Sequence, residues 1–150
     1  TENVMGIVGF GKAAELAHNE LQSRSSRLEQ LRERFETELR ERVPDAVVFG
    51  AGAKRLPNTS FFALPGIEGG TLVLTLDRQG LALSSGSACG SRNDEPSPVL
   101  RAMAVPSDLA SCAVRASFGT GNTEADVDAL VGALAAEAAL LRKMASSAWA

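Results

Sequence analysis

Between Leu28 and Val43 an apolar residue returns at every third or fourth position, through Leu31, Phe35 and Leu39. That spacing draws one stripe along a 3.6-residue helix and obliges the chain to bury it against a second element. Pro44 ends the run, because its ring clashes with the preceding turn and it has no N–H to donate. Upstream, Ile7, Phe10, Ala14 and Ala17 also keep helical spacing. The pattern therefore predicts helix over 4–42, with a kink or a join at 22–26. Arg and Glu crowd the opposite face, which reads as solvated. Residues 1–44 form a long helical lead-in on this reading.

From Asp45 the texture changes to short strands and turns. Val47, Val48 and Phe49 make a short apolar strand before Gly50 and Gly52. Residues 59–64 are a second strand, closed by the turn pair Pro65 and Gly66. Residues 68–78 fit a helix carrying Leu72, Leu74 and Leu76, and Gly80 breaks it. Leu81 and Leu83 suggest a third strand. A stretch rich in Ser, Gly and polar residues follows and reads as a mobile surface loop, 84–97. Ser97 and Pro98 resemble an N-cap and first helical position, with helix to about Ala104. Residues 113–118 are a fourth strand. Thr123 with Asp126 resembles a capping box, and the last helix carries Val127, Leu130, Val131, Leu134 and Leu141 on one face. The fold class is α/β (α+β): a short mixed or antiparallel sheet covered by helices. The domains read as 1–44, the lead-in, and 45–150, a small α/β domain.

With 150 residues the chain has the size of a single core. A net charge of −3 and a pI near 5.2 argue against nucleic acid, which calls for a basic stripe against phosphates. No apolar run reaches the roughly 18 residues that a membrane helix needs, and no signal peptide is visible. The start at Thr1 rather than Met suggests a cut or processed product. Cys89 and Cys112 have no metal-ligand spacing and read as free thiols.

Cys89 lies in Ser84-Ser-Gly-Ser-Ala-Cys-Gly-Ser91. A cysteine is ordinarily buried and inert, yet this one is flanked by Gly86, Gly90 and serines that offer no core. On composition alone a packing thiol and an accessible nucleophile are equally open. Arg115 alternates away from Val114, Ala116 and Phe118. It is either a solvated arginine or a clamp that grips a carboxylate through two parallel hydrogen bonds. Cys112 reads as a packing residue and His18 as a surface histidine. Gly6, Gly9 and Gly11 do not follow a strand, so a dinucleotide loop is a poor reading. Asp77 with Arg78, and Asp94 with Glu95, read as turn or cap residues rather than as a paired general acid and base.

Taken together, these segments resemble the NifS/IscS-type cysteine desulfurases, a group of the class V aminotransferase family among the fold-type I pyridoxal-phosphate enzymes. Thr1-Glu-Asn3 before a helix is similar to the family's Gly-Thr-x-Asn segment. Arg55-Leu-Pro-Asn-Thr59, Ser84-Ser-Gly-Ser-Ala-Cys89, Glu95-Pro-Ser97 with Val99-Leu-Arg-Ala102, and Val114-Arg-Ala-Ser-Phe-Gly119 with Thr123-Glu124 follow in the family's order. The serine-rich cysteine segment is the most specific of these.

The resemblance implies the small C-terminal domain of an enzyme that converts L-cysteine to L-alanine. Pyridoxal phosphate is the implied cofactor, and Cys89 is the implied catalytic nucleophile, left as a persulfide. Arg115 would bind the substrate carboxylate. Thr1 would contact the cofactor phosphate of a neighbouring subunit. Asn58, inside a matching motif, is assigned a structural role. The implied partners are a sulfur-acceptor protein, such as an iron–sulfur scaffold, and a second subunit in a cytoplasmic homodimer. The long loop resembles the group that supplies such scaffolds. The family's Schiff-base lysine follows a histidine, whereas Lys12, Lys54 and Lys143 do not. The isolated chain is therefore expected neither to form an aldimine nor to release sulfide. Two other readings remain: a non-catalytic sulfur-carrier or interaction domain, and a selenocysteine lyase-like domain.

Overall fold

The computed structural model describes residues 1–85 and 97–147, so the Cys89 loop reading lies largely outside the described residues. The lead-in is one uninterrupted helix, α1 (Val4–Arg42), with no break at 22–26. Asn3 caps it, its Oδ1 accepting the Gly6 N–H at 3.0 Å. The two predicted stripes have different fates. Leu28, Leu31, Phe35, Leu39 and Val43 are buried in the main core, as their spacing demands. Ile7 and Phe10 are 62% and 78% exposed, so the earlier stripe covers no described element.

Four short strands follow: β1 (Val47–Val48), β2 (Thr59–Ala63), β3 (Ser84–Ser85) and β4 (Ala113–Ser117). They form one antiparallel sheet in the order β1-β2-β4-β3. The predicted strand at Leu81 and Leu83 is thus displaced: both leucines pack partly buried against the core, and pairing begins at Ser84. Between β2 and α2 (Gly69–Asp77) the chain reverses at Pro65 and Gly66. Ile67 N–H donates to Leu64 C=O at 3.1 Å, and Gly66 takes φ 79°, a value that side chains resist.

Helix α3 (Pro98–Ala102) stops two residues short of the expected end at Ala104, and α4 (Ser107–Ser111) was not anticipated. Ser97 precedes α3 and Pro98 starts it, but the Ser97 side chain makes no capping bond. The exit from α3 explains the shorter helix. Val105 N–H donates to Leu100 C=O and Ala104 N–H to Arg101 C=O, both at 3.0 Å. This crossed pair is a Schellman ending, with Ala104 at φ 56° where glycine normally stands. The exit from α2 has the same two bonds, Leu81 to Leu76 and Gly80 to Asp77, with Gly80 at φ 80°. Glycine announces one ending in the sequence; alanine hides the other.

Helix α5 (Glu124–Ser147) begins after Thr123, whose N–H and hydroxyl both donate to the Asp126 carboxylate. Val127, Leu130, Val131 and Leu134 are buried, as predicted, with Leu141 partly so. Helices α1 and α5 pack together over one face of the sheet, where Phe35 meets Phe62 and Phe118 edge to face at 5.4 and 5.7 Å. Arg34 fastens the two helices, binding Glu38 on α1 and Glu124 and Asp128 on α5.

The expectation that the charged face of α1 is solvated fails at its centre. Glu36 and Arg32 are 4% and 6% exposed. Arg55 grips Glu36 with two bonds, 2.8 and 2.9 Å, which ties the segment entering β2 onto the helix. Burial pushes the Glu36 carboxyl up. The two hydrogen bonds from Arg55, together with the charges of Arg55 and Arg32, outweigh that effect and hold it below its ordinary value.

Candidate functional site around Arg115

Strand β4 has two characters. Val114 and Ala116 face the main core and are buried, whereas Arg115 and Ser117 are exposed on the other face. This alternation was legible in the sequence and follows from the period-two geometry of a strand. The second face is covered at one end only. There Phe49, Ala63, Leu100, Ala110, Cys112 and Ala113 form a smaller core beneath α3 and α4. Beyond it, the face opens at Arg115.

Register decides what surrounds Arg115. In β2 its partner is Phe61, and in β3 its partner is Ser84. Directly opposed residues share a face, with Cβ atoms about 4.5–5.5 Å apart. A guanidinium thus stands in mid-sheet between an aromatic ring and a serine. Among the described residues no carboxylate forms an ion pair with it. A planar cation with open donors is suited to a carboxylate ligand. Phe61 is half-buried and braced by Phe49, whose ring centroid lies 5.3 Å away in a T-shaped contact.

Beyond β4, residues 119–122 close a tight turn. Asn122 Oδ1 accepts the Gly119 N–H at 2.7 Å, and Arg27 of α1 donates to Asn122 C=O at 3.1 Å. Asn58 serves structure, as expected: Nδ2 donates to Phe118 C=O at 3.2 Å, and Phe118 N–H donates to Asn58 C=O at 2.8 Å. These bonds hold the far end of β4 in line.

Cys89 lies outside the described residues, but Ser84 and Ser85, the start of its segment, are strand β3 rather than loop. Thr1 is exposed ahead of α1. Helical rise puts Val4 about 36 Å along the axis from Leu28, where burial begins, so Thr1 is not brought to Arg115 within this chain. Cys112 is 5% exposed in the smaller core, its Sγ 3.2 Å from the Asp108 C=O, consistent with packing. His18 is on the exposed stretch of α1. Phe61 was not singled out in the sequence, and Ser84 only as the start of the cysteine segment. Only the strand register, which a single sequence does not state, makes them neighbours of Arg115.

An antiparallel sheet flanked by helices, with an arginine that has no ion-pair partner among the described residues on the strand beside Ser84 and Ser85, defines a class. The model for the family described as Aminotransferase class-V matches residues 1–130, and the chain belongs to that family. It is 47% identical over 144 residues to a cysteine desulfurase of Gluconacetobacter diazotrophicus, covering 96% of this chain and 36% of that protein. It is 42% identical over 128 residues to the cysteine desulfurase IscS of Dictyoglomus turgidum, covering 85% and 32% respectively. A NifS-like protein of Rickettsia africae superposes with a TM-score of 0.76 at 28% identity, covering 89% of this chain and 34% of that one. The chain thus spans about a third of the length of the relatives it matches.

The family implies pyridoxal phosphate in the full-length enzyme. The residues of this chain do not by themselves fit that cofactor. Its aldehyde calls for a lysine amine in an enclosed cavity, but Lys12, Lys54 and Lys143 are all exposed and lie on separate segments. Lys12 is paired with Glu15 at 2.8 Å. Among the described residues no helix is long and apolar enough to cross a membrane.

Proposed function

We propose that this chain is the substrate-clamping, sulfur-accepting portion of a cysteine desulfurase. The observation that carries the reading is the pairing of Ser84 with Arg115, which anchors the cysteine segment beside an arginine that has no acidic partner among the described residues. Four Cα–Cα steps lead from Ser85 to Cys89, a tether of at most about 14 Å. Arg115 binds the carboxylate of L-cysteine, which fixes one end of the substrate and limits where its sulfur can lie. The Cys89 thiolate attacks that sulfur, the carbon–sulfur bond breaks, and the substrate carbon takes up a proton. Cysteine becomes alanine and Cys89 becomes a persulfide, with no external oxidant or reductant.

Residues 1–44 act as the helical lead-in and 45–150 as the small domain. The cofactor's lysine is supplied from outside this chain. Thr1 would contact the cofactor phosphate of a neighbouring subunit in a cytoplasmic homodimer, and the persulfide passes to an acceptor such as an iron–sulfur scaffold protein. The exposed, scattered lysines also favour a second reading, a sulfur-carrier domain with no catalysis of its own.

Mass spectrometry of the full-length protein after incubation with L-cysteine separates these readings. A mass gain of one sulfur on the peptide carrying Cys89, with alanine released and none formed by Cys89→Ser, is expected. Persulfide on Cys112 instead would overturn the assignment. Persulfide gained only from an added sulfur donor, without alanine, would favour the carrier.

A further inference from the structure

We infer that Phe61 is the positioning residue of the Arg115 clamp: its ring walls the guanidinium on the β2 side and leaves it open toward Ser84. The inference rests on the carboxylate-binding reading of Arg115 and adds a residue to it.

Phe61 and Phe62 are adjacent phenylalanines with separate duties. Phe62 is fully buried and packs in the main core against Phe35. Phe61 points to the opposite face, is half-buried, and is the cross-strand partner of Arg115. The smaller core on that face, built on Phe49, Ala63, Leu100 and Ala113, leaves Phe61 at its margin. The Phe49 ring contacts it edge to face at 5.3 Å, and Phe49 N–H donates to Phe61 C=O at 2.8 Å. Ring and backbone are both braced from behind, so the ring is held beside Arg115.

The two neighbours make the clamp asymmetric. Ser84, opposite Phe61, presents a small hydroxyl, whose Oγ lies 3.2 Å from the Ser85 C=O. An aromatic wall on one side limits water there and favours a nearby cation through its negative face. Among the described residues, the hydroxyl on the other side leaves room for a ligand. A carboxylate would then meet the guanidinium from the β3 side, where the segment leading to Cys89 also begins. Phe61 thereby acts through Arg115, on binding rather than on bond breaking.

The test uses the full-length, cofactor-loaded protein with four variants. Phe61→Leu and Phe61→Met keep an apolar side chain but lose the ring; Phe61→Tyr keeps the ring; Arg115→Lys removes the fork. Either aliphatic variant should raise KM for L-cysteine about fivefold, the scale of a cation–aromatic contribution at a half-exposed site, with kcat within about twofold. Phe61→Tyr should restore the parent KM. A second readout needs no turnover: the Arg115 Nε–H resonance in 15N spectra, assigned by its loss in Arg115→Lys. It should be shifted by the ring current in the parent and in Phe61→Tyr, and not in the aliphatic variants. An unchanged KM and resonance in the folded aliphatic variants, or a Tyr variant as impaired as they are, would overturn the role of Phe61. Unchanged KM in Arg115→Lys would instead overturn the clamp itself, so the two failures are distinct.

Discussion

Replacing Gly69 with alanine should destabilise the chain and disturb the strand that carries Arg115. Gly69 is the first residue of α2 and is buried. A Cβ built there would lie 2.5 Å from Ala113 C=O and 3.2–3.3 Å from the carbonyl carbons of Ala113 and Cys112. The obstacle is backbone, which cannot rotate aside, so α2 and β4 must separate by about 0.9 Å to restore ordinary contact. Overpacking of this kind costs about 1–3 kcal/mol. The helix-propensity gain from losing glycine, about 1 kcal/mol in a helix interior, is smaller at a first-turn position. The net loss is about 1–2 kcal/mol, or about 3–6 °C in Tm for a domain of this size. Gly132→Ala is the control: it lies inside α5, and its new methyl would meet only the Arg42 guanidinium at 3.8 Å. It should raise stability by about 0.5–1 kcal/mol. Thermal melts followed by circular dichroism at neutral pH measure both. A Gly69→Ala protein that melts at or above the parent, while Gly132→Ala behaves as expected, would refute the close approach of α2 to β4.

Two further outcomes follow from local structure. Ala104→Gly should stabilise the chain by about 0.5–1 kcal/mol. It relieves a left-handed alanine worth about 1–2 kcal/mol and gives back part of that through glycine's greater unfolded-state entropy. Gly80→Ala, at the matching position of α2, should lose a similar amount, and urea unfolding of both variants checks the sign. Acid should also unfold the chain partly through Glu36 and Glu68. Both carboxyls are held below their ordinary value of 4.5, Glu68 by hydrogen bonds from Thr71 and Gly70 that outweigh its burial. A depressed carboxyl contributes stability above its unfolded value and loses it as pH falls through the folded one. Melting temperature should therefore be flat above about pH 5.5 and decline below about pH 4.5. In Glu36→Gln that decline should be shallower, from a lower plateau.

The elements that read clearly from the sequence are those whose signal is local. The stripe Leu28–Leu31–Phe35–Leu39 gave its helix because burial at period 3.6 leaves no other solution. Gly80 marked its helix end because only glycine takes φ 80° without strain. The signal failed where structure depends on distant partners. Leu81 and Leu83 look like a strand, yet two serines take the pairing because β4 lies opposite them. Glu36 looks solvated on its helix and is buried by Arg55, nineteen positions later in the chain. For the site, alternation alone turned Arg115 away from the core. The neighbours proposed to shape its binding, Phe61 and Ser84, belong to strands fixed by register and were not legible.

That division has a physical basis in β4 itself. A central strand has partners on both edges, and this one pairs with β2 along its whole length and with β3 at Val114 and Arg115. Side chains on the core face are then fixed by packing: Val114 and Ala116 have no freedom to serve a ligand. Only the opposite face can carry chemistry, and only where α3 and α4 leave it uncovered. Ala113 falls under that cover and Arg115 just beyond it. The strand hence delivers a cation on a rigid backbone, flanked by a fixed ring, at the edge of a small core. A carboxylate clamp needs that combination, because a guanidinium free to wander would spend its binding free energy on becoming ordered. The most rigid part of the sheet and the proposed substrate-binding residue coincide for this reason.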